Sequence, residues 1–105
     1  MLLTFWSSAD AQSRLDNMRY DRLSRDAGKH FVHVSVNMDR SMSVFNSTIA
    51  LDNLDRSAQF YSSIDVQDDI IKHWRLDEGY HSFLLDASGV IVAVDPDEHM
   101  LAQLK

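Results

Sequence analysis

Phe5-Trp6-Ser7-Ser8-Ala9-Asp10-Ala11-Gln12-Ser13-Arg14 is the stretch on which the reading of this chain turns. It comes after Leu2-Leu3-Thr4, and residues 2–7 form an apolar run of the length and kind expected for a strand covered on both faces. Small residues then carry the chain to Asp10. A carboxylate there accepts hydrogen bonds from the free N–H groups of a first helical turn, contributing roughly 0.5–2 kcal/mol as an N-cap. Residues 10–27 fit an amphipathic helix, with Leu15, Met18, Leu23 and Ala27 along one side. Asp21/Arg25 and Arg22/Asp26 stand i,i+4 on the other, and Gly28 sits where a C-terminal cap belongs. The decapeptide is therefore a strand-to-helix turn, in a chain that contains no cysteine.

Residues 31–36, Phe-Val-His-Val-Ser-Val, are β-branched and alternating, and predict a second strand. Strand, helix and strand in so short a span make a right-handed parallel βαβ unit. Residues 41–51 predict a weaker helix. Residues 53–63 read as irregular, with a short extended piece at Gln59-Phe60-Tyr61. Asp65 is placed as the cap of a further helix that buries Val66, Ile70, Ile71 and Trp74. Residues 81–86 and 90–94 are strands around Asp86-Ala87-Ser88-Gly89, an antiparallel hairpin. Asp95-Pro96-Asp97-Glu98 then predicts a last helix, with Asp95 as N-cap and Pro96 at the first helical position.

A chain of 105 residues is one domain, taken here as residues 1–105. The formal net charge of −6, without a basic stripe, argues against nucleic acid as partner. Val90-Ile91-Val92-Ala93-Val94 is too short to span a bilayer, so insertion into a membrane by this chain is not expected. No secretory signal is visible, and a chain that begins directly on a strand reads as a domain cut from a longer protein. Without thiols, cysteine usage does not distinguish a reducing from an oxidising compartment.

The decapeptide resembles the active-site stretch of the thioredoxin superfamily, in particular its TlpA/ResA-like branch of thiol-disulfide oxidoreductases. In that branch Phe-Trp ends a buried strand, and Cys-x-x-Cys followed by Arg opens the next helix. The two cysteine positions fall on Asp10 and Ser13. The resemblance extends to Val34-Ser35-Val36-Asn37-Met38-Asp39, similar to the family's second strand and its polar exit. Phe83-Leu84-Leu85-Asp86-Ala87-Ser88-Gly89-Val90-Ile91 is similar to its closing hairpin. It implies an α/β, thioredoxin-like fold: a mixed central sheet, a parallel βαβ followed by an antiparallel hairpin, flanked by helices. The family's usual extra N-terminal strand is missing. The resemblance also implies a cell-envelope or periplasmic setting.

The family's chemistry needs a thiolate whose pKa is lowered at a helix N-terminus. Asp10 and Ser13 are degenerate versions of those positions, so no catalytic residue is assigned. The superfamily's cis-proline is also absent. Tyr80 stands nearest its place, within Asp77-Glu78-Gly79-Tyr80-His81-Ser82, and a trans peptide is expected there because a non-proline cis bond costs about 2.5–4 kcal/mol. Thr4 occupies a place where some thioredoxins keep a buried aspartate. The resulting expectation is a redox-inactive binding or scaffolding domain of a cell-envelope protein. Its candidate groove comprises Trp6, Ala9, Asp10, Gly79, Tyr80 and His81, and would hold a peptide or protein segment.

The alternative is an enzyme acting through partner thiols or through a thiol-independent site at Asp10, Ser13 and His81. That serine would lie within a helix, with no oxyanion hole and no nucleophile-elbow glycines. The five histidines (His30, His33, His73, His81 and His99) show no helical zinc spacing, so neither a metal nor another cofactor is expected. Oligomeric state is not legible in the chain.

Overall fold

A computed structural model describes residues 1–26 and 31–102. The elements run β1 (Leu2–Trp6), α1 (Ala11–Arg25), β2 (His33–Asn37), α2 (Met42–Leu51), a 3-10 turn (Arg56–Ala58), β3 (Gln59–Tyr61), α3 (Ile64–Trp74), β4 (Ser82–Leu85), β5 (Ile91–Val94) and α4 (Glu98–Ala102). The five strands form one sheet in the order β3-β2-β1-β4-β5. β1, β2 and β3 are parallel, and β4 and β5 join antiparallel. This is the mixed, helix-flanked sheet of the thioredoxin-like fold. The extended piece at 59–61 is a true strand and occupies the sheet edge beside β2. The expected cap at Gly28 lies outside the described residues, as do Ala27 and His30.

Alternation along β1 sorts its side chains between two layers. Leu3 and Phe5 join Met38, Leu76 and Phe83 on the face covered by α3, where Ile70, Ile71 and Trp74 pack against them. Phe5, Trp74 and Phe83 form an aromatic cluster with ring centroids 5.1–6.1 Å apart. On the opposite face, Leu2 packs with Tyr20, Leu84 and Leu101, while Trp6 packs with Phe45, Ile49 and Leu54.

Between those two clusters the interface of α1 with the sheet is polar; Met18 and Leu23 pack against the clusters as expected, but Leu15 does not join them. The buried residues of α1 are Ser13, Asn17, Tyr20, Asp21 and Ser24, whereas Leu15 is 60% exposed. The sheet supplies the reason. His33 and Ser35 lie opposite Leu2 and Thr4 in register, and a polar surface calls for polar partners. Ser35 Oγ donates to Asn17 Oδ1 (2.6 Å), Asn17 Nδ2 donates to Gln59 Oε1 (3.1 Å), and Thr4 Oγ1 shares hydrogen bonds with Ser82 Oγ and His33 Nε2 (both 2.9 Å). Asp21 pairs with Arg25 as the spacing predicts. However, its carboxylate is buried and also accepts from the Asp55 N–H (3.1 Å).

Two helix starts differ from the sequence reading. Ser63, not Asp65, precedes α3, and Val66 is 41% exposed. Asp97 caps α4, accepting from the Met100 N–H (2.8 Å), because Asp95 is engaged elsewhere. The hairpin turn forms as expected. Gly89 takes a φ of 82°, and Asp86 Oδ1 accepts from the N–H groups of Ser88 and Val90.

Candidate functional site

The turn between β1 and α1 is held from both sides. On the helix side, Asp10 is the N-cap, and its Oδ2 accepts from the Ser13 N–H at 3.0 Å. Ser13 is buried. Its hydroxyl accepts from the Ser7 N–H and donates to the Asp10 carbonyl, both at 3.2 Å. The Ser13 hydroxyl and one oxygen of the Asp10 carboxylate are therefore committed to fixing the turn.

The other side depends on a residue that the sequence pattern did not single out. Asp39 leaves β2 directly beneath the turn and accepts from Ser7 Oγ (2.8 Å), Ser8 N–H (2.8 Å), Ser8 Oγ (2.5 Å) and Asn37 Nδ2 (3.0 Å). Burial pushes its carboxyl pKa up, but the hydrogen bonds from Ser8, Ser7 and Asn37 outweigh burial and hold it below the ordinary value of 3.8. The available signal was the pair of polar residues Asn37 and Asp39 at the exit of β2.

Two open recesses flank Ala9. One, of about 420 Å³, is lined by Ser7, Ala9, Met38, Arg40, Val44 and Tyr80, among others. The other, of about 430 Å³, lies between α1 and Asp52, along Ser8, Arg14, Leu15 and Met18. Arg14 holds that second wall in place with two hydrogen bonds to Asp52 (2.8 and 2.7 Å).

The structure brings only some of the sequence-named residues together. Ala9 and Tyr80 line the first recess. Asp10 stands close enough for its charge, after burial and together with Asp39, to raise the Tyr80 phenol pKa. Trp6 is fully buried among Phe45, Ile49 and Leu54, so it cannot form a floor under a ligand. Its place at the last position of β1 turns it to the face opposite Tyr80, which packs against the Leu3–Phe83 cluster. Gly79 adopts a φ of 148°. Among the described residues no peptide bond is cis, and the Tyr80 backbone N–H and C=O have no hydrogen-bond partner.

His81 is engaged away from Ser13. Its Nδ1 lies 2.7 Å from Asp95 Oδ2, its ring contacts Phe83, and its carbonyl accepts from the Phe5 N–H (3.1 Å). No hydrogen bond links it to Ser13 or Asp10, and both ends of that imagined triad have other partners. Among the described residues no three potential metal ligands cluster, and no helix is long and apolar enough to cross a membrane.

The function of Asp10 as a cap has a direct test. Asp10→Ala is expected to lower stability by about 1 kcal/mol, read as a shift in the urea midpoint at unchanged slope. Asp10→Asn, which keeps an accepting oxygen, should recover most of it.

Comparison with solved structures places this geometry among known proteins. The chain is 31% identical to a thioredoxin-like protein from Parabacteroides distasonis, covering 97% of this chain and 76% of that one with a TM-score of 0.88. It superposes on the thioredoxin domain of a thiol-disulfide oxidoreductase from Bacteroides vulgatus at 23% identity and TM-score 0.79, covering 96% of this chain and 72% of that one. The match to StoA from Bacillus subtilis has 20% identity and TM-score 0.67, covering 89% and 69%. The last two show the fold alone. No protein-family model and no curated protein matches the chain.

Proposed function

Since the chain belongs to the thioredoxin-like family, alongside thiol-disulfide oxidoreductases of the TlpA/ResA/StoA type, we propose that it is a member relieved of redox work and kept as a binding module. One observation carries this reading. At the position of the attacking thiol stands a carboxylate that caps the helix, and at the resolving position stands a buried hydroxyl with both its hydrogen bonds made. A carboxylate so placed stabilises the turn and cannot exchange disulfides.

The ligand on this reading is an extended peptide or protein segment. It lies across the recess at Ala9 and Tyr80 and pairs with the backbone at residues 79–82. The unpaired N–H and C=O of Tyr80 suit strand addition, and the side chains lining the recess would select among peptide sequences. A cell-envelope setting is part of the proposal and rests on the family resemblance.

An insulin-reduction assay tests the loss of redox function. The protein with dithiothreitol is expected to precipitate insulin no faster than dithiothreitol alone. Acceleration of even about tenfold, a barrier change near 1.4 kcal/mol, would overturn the reading. Binding is tested separately by titrating extended peptides against the ¹⁵N-labelled protein. Amide shifts should cluster at residues 8–14 and 79–82.

A further inference from the structure

The negative charge of this protein is concentrated in one part of the chain. Residues 76–105 carry six carboxylates (Asp77, Glu78, Asp86, Asp95, Asp97 and Glu98) against a single lysine, Lys105. Residues 1–75 carry ten carboxylates against nine lysines and arginines, which leaves that part close to neutral. The acidic segment is the one that builds β4, β5 and α4.

Within it, β5 is an outer strand of the sheet, and the side chains exposed along it and just before it are apolar. Val90, Ile91, Val92 and Val94 are 57%, 46%, 56% and 53% exposed. Their backbone is available as well. The Asp95 N–H donates to the Ser82 carbonyl (2.7 Å), so alternation along an antiparallel ladder turns the N–H and C=O of Val94 away from β4. Val92 is the extra residue of a bulge, since Leu84 pairs with Ala93 and Leu85 with Ile91. No lysine or proline lies within β5 to discourage pairing; Asp95, Asp97 and Glu98 follow its end, and Asp86 lies beside Val90 across the hairpin, its Oδ1 accepting from the Ser88 and Val90 N–H groups.

We infer that the β5 edge is a second docking surface, distinct from the groove at Tyr80, for an extended protein segment with alternating apolar residues and basic flanks. Charge selects this occupant over a second copy of the chain. Pairing two β5 strands would bring two strongly acidic segments together, and like charges repel. A segment with Lys or Arg at both ends meets carboxylates at both ends instead, and gains backbone hydrogen bonds between them.

The probe is a nine-residue peptide with valine at alternate positions and a lysine pair at each end, titrated into the ¹⁵N-labelled full chain at low salt. Amide shifts are expected at residues 90–95. Replacing the lysines by glutamates should weaken binding at least about tenfold, and raising the salt should weaken it progressively as the charges are screened. Val92→Lys should also weaken binding about tenfold while leaving the urea midpoint in place, because Val92 is exposed and the new charge guards the edge.

Shifts confined to residues 79–82 would overturn this inference and leave the proposed groove standing. Equal binding of the glutamate peptide would overturn it too, as would movement of residues 90–95 with protein concentration alone, which would make a second copy the occupant.

Discussion

Asp39→Ala is expected to cost about 3–5 kcal/mol, the largest loss from any single substitution at the turn. The carboxylate is buried and gathers four donors from three residues: both serines of the turn and Asn37. Hydrogen bonds to a charged acceptor are the stronger kind, and removing the acceptor leaves buried donors without partners as well as deleting the bonds. Asp39→Asn retains the volume but places an N–H₂ group against hydroxyl and amide donors, and should cost about half as much. Urea unfolding at pH 7 measures both. A second readout is local: the amide of Ser8 should lose protection from hydrogen exchange before the core strands do. If Asp39→Ala shifted the midpoint no more than an exposed substitution does, the turn would be held by Asp10 and Ser13 alone.

Acid should destabilise the protein in two successive windows, with His33 acting first. His33 is buried, its Nε2 bonded to Thr4 Oγ1 and its ring against Tyr20, and its Nδ1 has no hydrogen-bond partner among the described residues. Burial, opposed by the charge of Asp55, lowers its pKa from 6.5 to about 4. The folded protein therefore keeps His33 neutral where the unfolded chain protonates it. Between pH 6.5 and pH 4 the unfolded state binds one more proton, so stability falls as pH falls, by about 1.4 kcal/mol per unit and about 3 kcal/mol across the window.

Asp39 acts below that. Its folded pKa is depressed, so its contribution is present above the unfolded value of 3.8 and is lost as pH falls through the folded one. His33→Gln is expected to flatten the dependence of unfolding free energy on pH between 6.5 and 4, whatever it does to stability at pH 7. An unchanged slope would overturn this, showing that His33 takes up no extra proton on unfolding in this range.

The elements that announced themselves in the sequence are those whose pattern obeys local rules. The β1 run, the hairpin around Asp86–Gly89 and the cap at Asp10 need only alternation, a turn sequence and a carboxylate before a helix. Even β3, only three residues long, was visible as an extended piece, although nothing local indicated that it would close the sheet edge. Helix α1 shows where such rules stop. Hydrophobic spacing points to Leu15, Met18 and Leu23; Met18 and Leu23 do pack against the core, but Leu15 is exposed and the most buried positions are Ser13, Asn17, Tyr20, Asp21 and Ser24. A polar face is buried only when another segment supplies its partners, and those partners, Ser35, Gln59 and Asp55, lie 18 to 42 residues from the α1 residues they bond.

The candidate site divides in the same way. Asp10 was legible because a cap acts on its own helix. Asp39 was not, because its role depends on the turn of another strand, 31 and 32 residues away, lying directly above it. Asp95 and Trp6 were misplaced for related reasons. Asp95 gives its carboxylate to Ser82 and His81 rather than to the helix after it, and Trp6 is committed to the core by its position in the pleat.

By itself, then, the sequence determined the family fold and the absence of a thiol, since both are written in residue types and in spacings of a few positions. Only the tertiary structure decided which carboxylates are buried, which aromatic faces the core and which backbone groups remain open. Those outcomes depend on where distant segments meet, and hydrogen bonding and desolvation act across space, without regard to distance along the chain.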